Sequence, residues 1–270
     1  MNAITFYSES LLQSFKKDGI VKTTLLDEAE IAALLSLYHE TSQGISDRKF
    51  HSTMFVKDAE YRKTTNEGIR HIITDKINTV VGDYKMLFAN FIVKETDADT
   101  RVGIHQDWNF TSPEFTSLNI WIPLVDIDES TGLFYALKGS QHTFHNLRYT
   151  PYEDDRYREL EPFILEESTP FSLKAGEALI YDGALVHFSD PNLSGMLRIA
   201  IAVVMIPAAA PNLHYYKRDK EKNKVEVYEV SEAFYNSFDF FDEPKGVRMI
   251  NEIEQYAAMP VLDDLQKSIH

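Results

Sequence analysis

The feature that most limits the fold is a series of short strand-like stretches between residues 85 and 207. They are rich in β-branched and aromatic residues and are separated by Gly, Pro, Asp and Asn. No helical pattern alternates with them, so they do not predict a parallel sheet. They predict a sandwich or jelly roll of antiparallel strands. The stretches are 85–95, 117–127, 171–176, 177–183 and 197–207.

The flanking segments predict helical support for this β-rich core. Asp27 precedes an apolar run at helical spacing, and Glu30 stands where the partner of a capping box belongs. A second helix is predicted within 66–84, so residues 1–84 are expected to be mostly helical. Residues 208–270 predict a hairpin, a short helix capped by Ser231 and an aromatic run that packs on the barrel. We interpret 1–270 as a single domain whose core spans 85–207, with a lid-like insertion at 145–170.

Composition and charge exclude several classes of function. The chain has 270 residues, a net charge of −15 and no cysteine, so disulfides and thiolate metal sites are excluded. No basic patch predicts nucleic-acid binding, and no apolar run is long enough to span a bilayer. The first residues lack the pattern of a secretory signal. We expect a cytoplasmic protein with a small-molecule substrate; its oligomeric state is not predictable from the sequence.

The stretch "GIHQDW" at 103–108 contains the first candidate metal ligands. Alternation along a strand would direct His105 and Asp107 to one face, and Gln106 and Trp108 to the other. A lone pair of this kind is more often a surface hydrogen bond than a metal site. His187, just after another buried-looking strand, would supply a second imidazole. Two histidines and one carboxylate are typical of non-haem Fe(II) oxygenases, although Mn, Co, Ni or Zn would also accept these ligands.

Arg198 begins the strand-like stretch "RIAIAVV". Alternation puts it on one face with Ala200 and Ala202, which leaves space around the guanidinium. A buried guanidinium requires an anion, and a ligand carboxylate held by two hydrogen bonds would satisfy it. Alternatively, Arg198 lies at the strand end and reaches water. The pattern alone does not decide between the two.

Three segments resemble the phytanoyl-CoA dioxygenase family of Fe(II)/2-oxoglutarate oxygenases: "GIHQDW", "LNIWIPLVDIDESTGLFYALKGSQH" and "AGEALIYDGALVHFSDPNLSGMLRIAI". The resemblance implies a mainly β fold with flanking helices, a double-stranded β-helix of the cupin type. It implies His105, Asp107 and His187 as iron ligands. It also implies that Arg198 and Ser189 hold the distal carboxylate of 2-oxoglutarate.

The activity implied by this resemblance uses Fe(II), 2-oxoglutarate and O2. It would hydroxylate an unactivated C–H bond of an amino acid, a natural-product intermediate or an acyl derivative, with decarboxylation of 2-oxoglutarate to succinate and CO2. No catalytic residue beyond the metal ligands is expected. Asn90, Asn119 and Trp121 are expected to contact 2-oxoglutarate or substrate, or else only to fill the barrel. A cupin-type isomerase that does not use 2-oxoglutarate and a non-catalytic ligand-sensing domain are the alternatives.

Overall fold

The computed structural model describes residues 5–42, 49–144, 146–151, 157–219, 221–254, 262 and 265. Five α-helices occur in this part of the chain. They are α1 (Glu9–Asp18), α2 (Glu28–Thr41), α3 (Ala59–Ile77), α4 (Glu161–Glu167) and α5 (Phe234–Ser237).

Strands make up most of the remaining regular structure, as the sequence predicts. They are β1 (Thr5–Phe6), β2 (Ile20–Thr24), β3 (Phe50–Ser52), β4 (Val81–Gly82), β5 (Tyr84–Lys94), β6 (Val102–His105), β7 (Leu118–Pro123), β8 (Phe134–Ala136), β9 (Thr169–Phe171), β10 (Glu177–Asp182), β11 (His187–Ser189), β12 (Arg198–Pro207), β13 (Leu213–Tyr216), β14 (Lys224–Glu229) and β15 (Arg248–Glu254).

Two antiparallel sheets form the jelly roll and confirm the predicted fold class. The larger has the order β2-β10-β7-β12-β5-β3, and the smaller has the order β6-β11-β8-β9. Their strand pairs join segments that are far apart in sequence, such as β2 with β10 and β5 with β12. Outside these sheets, β1 pairs with β4, and β13, β14 and β15 form a three-stranded sheet.

Helices α1, α2 and α3 pack on the outer face of the larger sheet. Ile69, Ile73 and Ile77 of α3 are almost fully buried against sheet residues such as Ile120 and Ile201. Burial of one such side chain contributes roughly 1.5–3 kcal/mol. Because adjacent strand residues point to opposite faces, this packing leaves the alternate residues of each strand facing the second sheet. Those inward residues form the site described below.

The predicted capping box at the start of α2 is confirmed. The Asp27 carboxylate accepts hydrogen bonds from the backbone N–H groups of Ala29 and Glu30, and the Glu30 side chain accepts from the Asp27 N–H. The boundaries predicted for the next helix are wrong. It begins earlier, because Asp58 caps α3, and it ends at Ile77, before the strand pair that Val81 forms with Phe6.

The C-terminal segment contains the predicted hairpin of β13 and β14, and β15 adds a third strand that the sequence did not indicate. The aromatic run packs on the barrel as predicted, with Phe234 and Tyr235 buried against Phe88. Ser231 is not the cap of α5; Ala233 holds that position and makes no side-chain cap. The insertion at 145–170 contains α4, and its residues 145 and 152–156 lie outside the described residues. Its role as a lid stays a prediction, as does the single-domain organisation.

Candidate metal centre and its cavity

Pairing between β6 and β11 brings the two predicted histidines together. His187 lies directly opposite His105, and their ring centroids are 4.2 Å apart. The register of this pair shifts between His187 and Ser189. Such bulges are common beside active sites, where they redirect a side chain. The two imidazoles therefore come from strands more than 80 positions apart in sequence.

Asp107 completes the triad, but not from the position that the sequence predicts. β6 ends at His105, so Asp107 lies in the loop that follows and strand alternation does not apply to it. Its carboxylate oxygens nevertheless lie 3.9 Å from Nε2 of His105 and 3.8 Å from Nε2 of His187. All three ligand atoms lie within 4.8 Å of one another. Among the described residues, these three form the group suited to holding a metal ion.

Hydrogen bonds orient each ligand toward the centre of the triad. Nδ1 of His105 is 2.8 Å from the Gly103 carbonyl oxygen, and Nδ1 of His187 is 3.0 Å from that of Leu185. These contacts leave both Nε2 atoms facing Asp107. Burial, and then the charge of His105, lower the pKa of His187 to about 4, so this imidazole is neutral, as a metal ligand must be.

Two residues of the larger sheet hold the Asp107 carboxylate. The Asn119 amide donates to Oδ2 of Asp107 over 2.6 Å, and the Tyr181 hydroxyl also hydrogen-bonds this carboxylate. Asn119 and Tyr181 are direct cross-strand partners on β7 and β10. Burial, and then the charge of Asp107, raise the pKa of Tyr181, so its hydroxyl stays a donor. Tyr181 was not among the predicted site residues.

The triad opens into a cavity of about 320 Å³ between the two main sheets. All five predicted cofactor-binding residues line it: Asn90, Asn119, Trp121, Ser189 and Arg198. Arg198 is 4% exposed, and its guanidinium lies over the Trp121 ring, 5.0 Å from the ring centroid. The interpretation that Arg198 reaches water is therefore wrong. Its Nη1 is 3.4 Å from the Thr131 carbonyl oxygen, and burial lowers its pKa to about 10.

Lys94 is a second buried basic residue, and the sequence did not indicate it. It pairs with Arg198 across β5 and β12 and is 2% exposed. Its Nζ donates to the Ser189 hydroxyl over 2.8 Å and to the Asp190 carbonyl over 2.6 Å. Burial, and then the charge of Arg198, lower the pKa of Lys94 to about 6. Since Lys94 is four residues after Asn90, strand alternation could have put it on the same inward face.

Neither Lys94 nor Arg198 forms an ion pair with a carboxylate among the described residues, although the charge of Asp190 raises the pKa of both. Such groups are costly unless a charge or a ligand compensates them. Ala202 lies between Asn90 and Trp121 in the sheet and lines the same cavity as Lys94 and Arg198, where its small side chain fills little space. This end of the cavity therefore suits an anionic group. We call it the cationic end, defined by Lys94, Ser189 and Arg198.

A sequence model of known families matches residues 20–200, which include the triad and the cationic end. The chain belongs to the phytanoyl-CoA dioxygenase family. This confirms the resemblance seen in the motifs. A rice protein of the family, phytanoyl-CoA dioxygenase 1 from Oryza sativa subsp. japonica, is 29% identical over 120 residues. That match covers 43% of this chain and 42% of the rice protein.

Solved structures share the fold at low sequence identity. The epimerase SnoN, in complex with Fe³⁺, α-ketoglutarate and nogalamycin RO, has a TM-score of 0.60 and is 17% identical, covering 93% of this chain and 95% of its own. AviO1 from Streptomyces viridochromogenes has a TM-score of 0.53 at 20% identity, covering 77% and 98%. HygX from Streptomyces hygroscopicus, with nickel and 2-oxoglutarate bound, has a TM-score of 0.55 at 12% identity, covering 75% and 88%.

Two further results concern the surroundings of the site. Trp108 was predicted to face away from the metal, but it lines the cavity together with Arg148, because β6 has already ended before it. No helix among the described residues has the length and hydropathy that crossing a membrane requires.

Proposed function

We propose that this protein is an Fe(II)- and 2-oxoglutarate-dependent dioxygenase that hydroxylates an unactivated C–H bond of a small organic substrate. 2-Oxoglutarate, O2 and the substrate would give succinate, CO2 and the hydroxylated product. One observation carries the proposal: the His105, Asp107 and His187 triad shares its cavity with two buried basic groups, Lys94 and Arg198, neither of which forms an ion pair within the described chain.

The donor set fits a ferrous ion. Two imidazoles and one carboxylate would occupy one face of a metal and leave the other positions for co-substrate and O2. The hydrogen bonds from Asn119 and Tyr181 would fix the orientation of the Asp107 carboxylate. A bound ferrous ion and 2-oxoglutarate together supply the oxidising chemistry, while the protein orients the substrate and excludes water.

The cationic end would hold the distal carboxylate of 2-oxoglutarate. Arg198 offers a planar pair of donors, and Trp121 beneath it fixes the plane of the guanidinium. Lys94 donates into the Ser189 oxygen, so the Ser189 hydrogen is free to point at the ligand. Asn90, whose amide donates to the Ser52 hydroxyl over 2.8 Å, would line the path between this end and the metal.

Neither alternative function, the isomerase or the ligand-sensing domain, accounts for both the triad and the buried basic groups. An isomerase that binds only its metal and substrate has no requirement for two buried basic groups in the same cavity as the triad. A ligand-sensing domain has no requirement for a complete triad whose three members are each oriented by hydrogen bonds.

The test is formation of succinate from 2-oxoglutarate in the presence of Fe(II) and O2. We expect turnover by the wild-type protein and its loss in His105→Ala. The matched control is His142→Ala, because Nε2 of His142 contacts the Lys16 carbonyl outside the cavity. Equal succinate formation by His105→Ala and wild type would refute the proposal. Binding of 2-oxoglutarate with no turnover across a substrate panel would favour the sensing domain.

A further inference from the structure

Gln106 lies between the first two ligands of the triad in the chain, and its buried side chain connects three other segments. Its Nε2 donates to the Phe144 carbonyl over 3.1 Å and also to the Ala184 carbonyl. Its Oε1 accepts a hydrogen bond from the Tyr157 hydroxyl over 2.8 Å. Both hydrogens of Nε2 and one lone pair of Oε1 are therefore in use.

The contact with Ala184 extends the influence of Gln106 to the third ligand. Ala184 is followed by Leu185, whose carbonyl oxygen is 3.0 Å from Nδ1 of His187. The Gln106 amide therefore fixes the backbone beside the group that orients this imidazole. Because the other two ligands are the chain neighbours of Gln106, one side chain holds the backbone that carries all three.

Tyr157 brings the insertion at 145–170 into this network. It is 9% exposed and lines the cavity together with Gln106. The chain after Tyr157 continues into α4 and packs beside the strand that carries His187. The buried apolar residues in this contact come from the insertion and from both sides of that histidine: Leu160, Ile164, Val186 and Phe188. The hydroxyl of Tyr157 is thus attached to a packed segment.

The direction of the hydrogen bonds explains why a hydroxyl is suited to position 157. The carbonyl oxygens of Phe144 and Ala184 require the Nε2 end of the Gln106 amide, which directs Oε1 toward Tyr157. A hydroxyl can donate to this oxygen, whereas a phenylalanine at 157 would remove the donor. A buried amide oxygen that loses its donor is costly, so the amide would shift away from the two carbonyls.

We propose that Tyr157 is a positioning residue of the metal centre. Its hydroxyl holds the Gln106 amide, and Gln106 in turn holds the backbone from which the three ligands project. The insertion thereby supports the triad in addition to lining the cavity. This inference rests on the metal site of the proposed function, and it assigns to Tyr157 an effect on the metal that passes through Gln106.

The test is a double-mutant cycle on Co(II) affinity, measured by competition with a chromophoric chelator. Gln106→Met should weaken Co(II) binding about 10–100-fold, the usual effect of losing a residue that supports the ligands, and Tyr157→Phe at least about fivefold. Because Tyr157 acts through Gln106, the double variant should match Gln106→Met alone within about twofold, whereas independent effects would multiply.

The visible absorption spectrum of bound Co(II) separates a positioning role from a purely structural one. Tyr157→Phe should change the energy or intensity of the ligand-field bands, since these report the arrangement of the ligands. The matched control is Tyr235→Phe. The Tyr235 hydroxyl donates to the Leu213 carbonyl over 2.6 Å, and this tyrosine is 2% exposed and does not line the cavity. Its variant should keep the wild-type Co(II) affinity and spectrum.

Two results would overturn the inference. One is a Tyr157→Phe protein with the Co(II) affinity and spectrum of the wild type. The other is a double variant in which the two losses of affinity multiply. Tyr157→Phe removes a single oxygen atom, so its spectrum decides the question even where Gln106→Met does not fold.

The assay uses neither 2-oxoglutarate nor O2, so its outcome is separate from that of the succinate assay. Succinate formation by the wild type, with an unchanged Co(II) spectrum in Tyr157→Phe, would reject the role of Tyr157 and leave the proposed function intact. The expected coupling between Tyr157 and Gln106, without succinate formation by the wild type, would reject the proposed function and leave the role of Tyr157 intact.

Discussion

The side-chain nitrogen of Lys94 lies 2.8 Å from the hydroxyl oxygen of Ser189, which follows His187 of the triad by two residues. This contact joins the larger sheet to the strand that carries the distal histidine. Lys94, whose pKa is lowered to about 6 by burial, therefore lies next to the position proposed for the distal carboxylate of 2-oxoglutarate. The protonation of Lys94 and the binding of 2-oxoglutarate should therefore be linked.

The first prediction is that 2-oxoglutarate binds with uptake of a proton. Above pH 6 the Lys94 amine is mostly neutral in the free protein, and a bound carboxylate favours the ammonium and raises its pKa. Because the complex binds more protons, Kd should rise with pH above 6, by at most about tenfold per pH unit. Calorimetry of the Ni(II)-loaded protein at pH 8, in two buffers with different ionisation enthalpies, measures the uptake.

Two lysine variants provide the control for this prediction. Lys94→Met should abolish the proton uptake and weaken binding, while Lys63→Met, an exposed lysine on α3, should leave both unchanged. Identical apparent binding enthalpies in the two buffers for the wild-type protein would contradict the linkage.

The second prediction concerns the two residues that hold Asp107. Tyr181→Phe and Asn119→Ala should each weaken metal affinity about 10–100-fold, the usual effect of losing a hydrogen bond to a ligand. Competition of Co(II) with a chromophoric chelator measures it. Tyr84→Phe is the control, because the Tyr84 hydroxyl donates to the Thr116 carbonyl away from the cavity. An unchanged Co(II) affinity in Tyr181→Phe would mean that its hydroxyl does not orient the carboxylate.

The third prediction tests the space in front of the cationic end. Ala202 lies between Asn90 and Trp121 in the sheet and lines the cavity. Ala202→Leu should fill the position of 2-oxoglutarate and raise its Kd at least about tenfold, while Co(II) affinity stays within twofold. Binding of 2-oxoglutarate at wild-type affinity would show that the co-substrate lies elsewhere. Ala202→Gly, which adds no volume, is the matched variant and should keep that affinity.

The fourth prediction concerns the support that α3 gives to the larger sheet. Ile73→Ala removes a fully buried side chain and should lower the free energy of unfolding by about 2–5 kcal/mol. Ile72→Ala makes the same chemical change at a half-buried position, so it should cost clearly less. Urea titration followed by circular dichroism measures both. Equal losses of unfolding free energy in the two variants would contradict the assignment of Ile73 to the face of α3 that packs on the sheet.

The sequence predicts best those features that depend on local periodicity. Alternation along 197–207 puts Arg198, Ala200 and Ala202 on one face, and in the structure Arg198 and Ala202 line the cavity while Ile199 and Ile201 pack under the helices. The spacing of polar and apolar residues is enough for this result, because each strand residue alternates regardless of which strands are its neighbours.

Features that depend on where a strand ends were predicted poorly. β6 ends at His105, so Asp107 and Trp108 take directions that alternation does not describe. Asp107 still reaches the triad because Asn119 and Tyr181 hold it, and that contact depends on the register of β7 with β10. Nothing within either strand indicates this register. Lys94 was missed for a different reason, because a lysine before Glu95 at a strand end has the appearance of an exposed residue.

The most direct test of the central claim is the fate of oxygen during turnover. With ¹⁸O2, Fe(II) and a substrate that supports turnover, the triad and the cationic end together predict that each succinate molecule carries one labelled oxygen atom, as mass spectrometry would detect. Product formation accompanied by no succinate, or by succinate that contains only unlabelled oxygen at early times, would contradict the account.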